Sequence, residues 1–122
     1  MSRTEQITKL IKSLSNNTPD VEGAAVIDND GLMIASALAA DLDEDSVGAM
    51  SAALLGLGER ITKELSRGEF ELVMIRGSGG FIILTRCGGE AVLACLAGTG
   101  AKLGLIFLDL KRAANELSKL LS

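Results

Sequence analysis

The chain has 122 residues and a formal charge of −4, and it contains no His, Trp or Tyr and three Phe. Without His there is no Ser–His or Cys–His nucleophile pair and no imidazole metal ligand. Without Tyr or Trp, and with a negative balance, neither stacking of single-stranded bases nor attraction to a phosphate backbone or a polybasic membrane contact is favoured.

Residues 2–14 are predicted to form a helix. Ile7, Leu10, Ile11 and Leu14 make one narrow apolar stripe, and Ser2 with Glu5 has capping-box spacing. The opening Met1-Ser2-Arg3-Thr4-Glu5-Gln6 is polar, unlike a signal peptide, and no segment reaches the roughly 18 apolar residues of a membrane span, so a reducing cytoplasm is the expectation. The polar cluster Ser15-Asn16-Asn17-Thr18-Pro19 ends this helix.

Residues 21–27 and 32–38 are predicted strands around the turn Asp28-Asn29-Asp30-Gly31, where Asn and Asp tolerate left-handed backbone and Gly31 relieves the last position. Calcium binding by Asp28 and Asp30 is disfavoured, because the later Gly and distal Glu of an EF-hand are missing. These strands are rich in Ala and Gly, which leaves room for a helix close against them. The acidic run at 41–45 suits the positive end of a helix dipole, and Asp41 with Glu44 again has capping-box spacing; a metal cluster is the less favoured reading.

Residues 43–67 form the predicted central helix, and its oddity is that the thirteen residues 46–58 carry no charge. Val47, Met50, Leu54, Leu57, Ile61 and Leu65 recur at spacings of three and four, and this stripe is expected to face the protein's own core. At roughly 120° round the helix, taking about 100° per residue, lies a second stripe of small residues, Ala49, Ala52, Ala53 and Gly56. A helix apolar on two sides is usually buried on two sides, so the second stripe is expected to meet another subunit.

Gly68 breaks the helix, and residues 70–76, 81–87 and 91–97 are three further predicted strands joined by Gly-rich connectors, hence antiparallel hairpins. Residues 81–85 are largely apolar on both faces, which calls for helices on both sides of the sheet. A turn at Gly88-Gly89 would put Cys95 opposite Ile82 and not opposite Cys87, against a disulfide within the hairpin. Residues 102–121 are the last predicted helix, with Leu103, Ile106, Leu110, Ala113, Leu117 and Leu120 as its core stripe. The order is α–β–β–α–β–β–β–α, with residues 1–122 expected to form one domain.

No chemistry assembles on these elements. Gly98-Thr99-Gly100-Ala101-Lys102 lacks the spacing of a Walker loop and of a dinucleotide fingerprint, though its place between strand and helix could hold an anion. Arg60, Arg67, Arg76 and Arg86 are expected to be solvated charges and not fingers supplied to a partner. No catalytic residue, cofactor site or metal site is assigned.

Three segments carry a family resemblance. Val21-Glu-Gly-Ala-Ala-Val-Ile-Asp28 with Asp30-Gly-Leu-Met-Ile-Ala-Ser36, then Gly68-Glu-Phe-Glu-Leu-Val-Met-Ile75, then Leu103-Gly-Leu-Ile with Asp109-Leu-Lys-Arg-Ala-Ala-Asn-Glu-Leu117, resemble in order and spacing the roadblock/LC7 family over nearly the whole chain. The resemblance implies an α+β fold with a five-stranded antiparallel sheet, the terminal helices on one face and the central helix on the other. It implies a homodimer, or a heterodimer with a paralogous chain, in which third strands pair into one continuous sheet and central helices lie side by side. The expected interface is therefore Glu69, Phe70, Glu71, Leu72, Val73, Met74, Ile75 and Arg76, together with Ala49, Ala52, Ala53 and Gly56. Family members act as non-enzymatic platforms: dynein light chains, scaffolds for Ras-like GTPases, and prokaryotic regulators of the MglB type; the small size looks more prokaryotic than eukaryotic. A small Ras-like GTPase is thus the implied partner, activated or recruited, with Glu59, Arg60 and Lys63 as expected polar contacts. The alternative is a small-molecule sensory domain, for which the many Ala and Gly would leave space; a hydrolase or transferase is opposed by the missing His and the lack of any acid–base pair.

Overall fold

Capping and turn chemistry place the elements along the chain. In a computed structural model, which describes residues 1–122, helix α1 runs Arg3–Asn17. The Ser2 hydroxyl accepts from the Glu5 amide at 3.1 Å, and Thr18 N–H closes the last turn onto the Leu14 carbonyl. Strands β1 (Val21–Asp28) and β2 (Met33–Ala37) follow as a hairpin. Its turn is tied by Asp28 Oδ1, which accepts from the Asp30 and Leu32 amides at 2.9 Å each, while Gly31 takes φ +91°. Asp28 is thus occupied by its own backbone, as turn chemistry requires.

Helix α2 spans Glu44–Glu64, and β3 (Leu72–Gly77), β4 (Gly80–Arg86) and β5 (Ala91–Ala97) precede α3 (Leu103–Leu121). Two sequence expectations shift here. Asp43, not Asp41, caps α2: its carboxylate accepts from the Asp45 amide and the Ser46 hydroxyl, and these bonds hold its pKa below the usual carboxylate value. The third strand begins at Leu72, leaving Glu69, Phe70 and Glu71 as a connector whose Glu71 carbonyl accepts the Arg86 amide at 3.1 Å.

All strand pairs are antiparallel, in the order β2-β1-β5-β4-β3. Strand β5 is therefore central, which explains why its side chains are apolar on both faces. Cys95 stands opposite Ile83, one residue from the expected Ile82. The hairpin is longer than a Gly88-Gly89 turn, since Arg86 already pairs with Val92. Both thiols are buried and free, and burial pushes Cys87 up to about 12 and Cys95 to about 11.

The period-2 alternation of strands sorts the core into two faces. Ala24, Val26, Ile83, Leu93, Cys95 and Ala97 meet α1 and α3 through Ile7, Ile11, Leu14, Ile106, Leu110 and Leu117, a cluster of 18 buried residues. Thr18 at the end of α1 donates to Asp109 on α3 at 2.9 Å and locks the two helices together. Ala25, Ile27, Leu84, Val92 and Ala94 meet α2 in a cluster of only 7. The terminal helices thus cover one face and the central helix the other, as expected, but the coverage is unequal.

Candidate functional site: an open apolar platform

Helix α2 touches the sheet through Gly48, Ser51 and Leu55, its buried residues. Their spacings of three and four define a ridge on the far side of the helix from both stripes seen in the sequence, roughly 110° from either. The stripe of Val47, Met50, Leu54, Leu57, Ile61 and Leu65 was expected to face the core, and the structure corrects this. Val47 and Leu54 are half-buried, while Met50 is 65 % exposed, Leu57 55 % and Leu65 64 %.

Two glycines explain the choice of ridge. A Cβ on Gly48 would lie 2.1 Å from the Gly31 carbonyl oxygen, so helix and hairpin turn approach as only Gly permits. A Cβ on Gly58 would lie 2.5 Å from the Phe70 ring. Phe70, an expected interface residue, is therefore buried in the chain's own core under α2. Ala52 is also half-buried, toward Gly31, whereas Ala49, Ala53 and Gly56 are exposed and a Cβ on Gly56 would meet open space. The sequence offered a signal for the two contacts: Gly inside a helix costs roughly 1 kcal/mol relative to Ala, so an interior Gly asks for a packing reason.

Beside the exposed flank of α2 the sheet is uncovered. Ile75 on β3 and Ile82 on β4 are paired neighbours and exposed, and they share with Leu42, Val47, Met50 and Leu54 an apolar groove of about 280 Å³. Strand β3 is the sheet's edge, with β4 as its one partner. Leu72 and Met74 are exposed on its opposite face, so an apolar strand stands with one side of its backbone unpaired. Arg76 lies over the Phe81 ring, 5.8 Å from its centroid.

The charged residues expected at a partner surface divide. Arg60 pairs with Glu64 one turn on, at 2.9 Å and in the open, an arrangement of small energetic weight. Lys63 is exposed, with no ion-pair partner. Glu59 instead binds Arg86 at 2.8 Å. Arg86 is not the solvated charge expected: its side chain is only 20 % exposed, and it also donates to Asn29 Oδ1 at 2.7 Å. This three-element network joins residues distant in sequence and carries no local signal.

No group of three His, Cys, Asp or Glu could hold a metal ion. The loop at 98–102 faces carboxylates, with Glu22 against Gly98 and Asp20 near Gly100, which opposes its use as an anion cradle. No helix is long and apolar enough to cross a membrane.

The class this fold defines is a small α/β/α module with one finished and one unfinished face. The Roadblock/LC7 domain profile matches residues 7–97, and the chain belongs to the roadblock/LC7 family. Among curated proteins it is similar to the uncharacterized protein MJ0310 of Methanocaldococcus jannaschii, 38 % identical over 84 % of this chain and 89 % of that one. Two further proteins of that organism, MJ1340 and MJ0714, are also 38 % identical. Among solved structures, Myxococcus xanthus MglB superposes with a TM-score of 0.91 at 22 % identity, covering 99 % of this chain and 91 % of that one. A structure described as MglB with tetrameric arrangement gives 0.87 at 21 % identity, covering 98 % and 90 %. At such identities these structures bear on the fold.

Proposed function

We propose that residues 1–122 act as one roadblock/LC7 unit, a non-enzymatic cytoplasmic scaffold that pairs with a second copy or a paralogous chain. The paired platform binds a small Ras-like GTPase, which it activates or recruits. The observation that carries this reading is the exposed apolar surface that Met50 of α2 shares with Ile75 and Ile82 at the edge of the sheet, with Leu57 and Ile61 exposed further along the same stripe of the helix. Exposed apolar patches of this kind mark interaction sites. A second chain would cover it through α2, with Ala49, Ala53 and Gly56 allowing close approach and Met50, Leu57 and Ile61 supplying apolar area. Pairing along Leu72, Val73, Met74, Ile75 and Arg76 would satisfy the open edge of β3 at the same time. Glu69 and Glu71 would flank that pairing, and Phe70 would support it from within. The tetrameric MglB arrangement supports self-association, and three relatives in one archaeon support pairing between paralogues.

Family membership supports the GTPase partner. Lys63 and Arg60 stand at the solvent side of α2 for such contacts, whereas Glu59 faces inward to Arg86. The test has two arms. Sedimentation at micromolar concentration is expected to give twice 12.7 kDa. Ras-like GTPases encoded in the same genome, loaded with GDP or a non-hydrolysable GTP analogue, are then titrated against the dimer; no binding in either state by any of them would remove the GTPase reading.

Small-molecule sensing draws on the same apolar groove of about 280 Å³. It requires an apolar ligand that raises the melting temperature of the isolated chain, and a metabolite screen without such a shift would remove it.

A further inference from the structure

The tie between Arg86 and Glu59 has a consequence for the platform. It is the one ion pair linking α2 to another element. The N-terminal half of α2 is located by steric contact, with Gly48 against Gly31 and Leu55 buried. Beyond Leu55 the helix packs against the Phe70 ring at Gly58, an apolar contact without a polar tie. Dispersion contacts of that kind are non-directional, whereas a guanidinium presents donors in a rigid planar fork.

Arg86 uses that fork in two directions. Nη2 donates to Glu59 Oε2 at 2.8 Å, and Nη1 donates to Asn29 Oδ1 at 2.7 Å and, at 3.4 Å, to the Ala91 carbonyl. Asn29 is itself fixed, since its Nδ2 donates to the Gly89 carbonyl at 3.0 Å and its amide to the Glu90 carbonyl at 3.2 Å. The β1–β2 turn and the β4–β5 hairpin therefore hold Arg86, and Arg86 holds Glu59. Residues Leu57, Ile61 and Leu65, which carry the exposed flank, lie on the stretch that Glu59 anchors.

We propose that Arg86 is a positioning residue for the interaction surface: its fork fixes the direction of the C-terminal half of α2 and thereby the shape of the apolar platform. This rests on the reading of that platform as an interface. A lysine would keep the charge but reach one acceptor at a time, so Arg86→Lys is the informative variant, with Glu59→Gln as its partner.

Two readouts separate this inference from the reading beneath it. Amide hydrogen exchange in Arg86→Lys is expected to quicken at least tenfold across residues 57–65 and to stay unchanged across 44–55, whether or not the chain pairs. Self-association is expected to weaken about tenfold, with the melting temperature of the dilute chain nearly constant and Glu59→Gln/Arg86→Lys no weaker than either single change. Unchanged exchange at 57–65 overturns the positioning role, as does an unchanged dissociation constant in a chain that pairs. A parent chain that sediments as a monomer, with quickened exchange in the variant, overturns the interface reading and upholds the positioning role. A purely structural bond would instead lower the melting temperature, speed exchange everywhere and leave pairing intact below the melt.

Discussion

The two faces of the sheet are built from similar residues and finished differently. On the α1/α3 face, two helices lie side by side, the Thr18–Asp109 bond joins them, and 18 residues are buried. On the α2 face a single helix rests on a ridge containing two glycines, and 7 residues are buried while a row of Met, Leu and Ile stays exposed. One helix about 10 Å wide cannot roof five strands spaced about 4.8 Å apart. The difference teaches where the chain's own folding stops: the first face is covered in one chain, and the second is left partly open.

The comparison can be broken in several places. The largest effect is expected on the finished face, where Leu110 is fully buried. Leu110→Ala should cost about 2–5 kcal/mol of unfolding free energy, measured by denaturant titration. A loss well below 1 kcal/mol would mean that this face is not the main core.

Next come two glycines of α2 with opposite expectations. Gly48→Ala places a methyl against the Gly31 carbonyl and should destabilise by about 1–3 kcal/mol despite the better helix former. Gly56→Ala meets open space in the single chain and should stabilise the dilute chain by up to about 1 kcal/mol, while weakening pairing if a second helix packs there. Equal signs for the two in the dilute chain would undo the assignment of the contact ridge.

The buried thiols of the finished face give a pH test. Both have folded pKa values raised above the ordinary 9.0, to about 12 for Cys87 and about 11 for Cys95. The unfolded chain therefore releases their protons first, so their contribution is fully present below pH 9 and lost as pH climbs toward the folded values. Between pH 8 and pH 10 the loss should be about 1 kcal/mol per thiol, and replacing both by Ala should flatten that slope.

The smallest effect on folding is expected on the open face. Leu57→Ser should change the stability of the dilute chain by less than about 0.5 kcal/mol, because the side chain already lies in water. Its effect on self-association should be at least about tenfold, read by sedimentation. Loss of folding stability with unaltered pairing would show that Leu57 belongs to the chain's interior.

Much of the fold was legible because its signals are local. Ser2 with Glu5, the Asp28–Gly31 turn, the stripe from Ile106 to Leu117 and the two-sided apolar run at residues 81–85 each follow from spacing within a few residues. Strand β3 was placed two residues early because Phe70 is as β-prone as any strand residue, and only its burial on Gly58 removes it from the sheet. Arg86 was taken as solvated because its partners, Asn29 and Glu59, lie 57 and 27 residues away.

The platform was half legible. The uncharged stretch with two apolar sides raises the expectation that α2 packs on two sides, and the structure shows one side against the sheet and most of the rest exposed. Which side meets the sheet was decided by tertiary structure. Apolar and small residues cover both stripes, so periodicity permits several rotations of the helix about its axis. The rotation is chosen where the Gly31 turn and the Phe70 ring come close, because positions 48 and 58 lack the side chain that would keep them away. The sequence by itself determined which segments are helices and strands and that residues 46–58 of α2 carry no charge; the approach of the Gly31 backbone and the Phe70 ring to two glycines decided which face was left open.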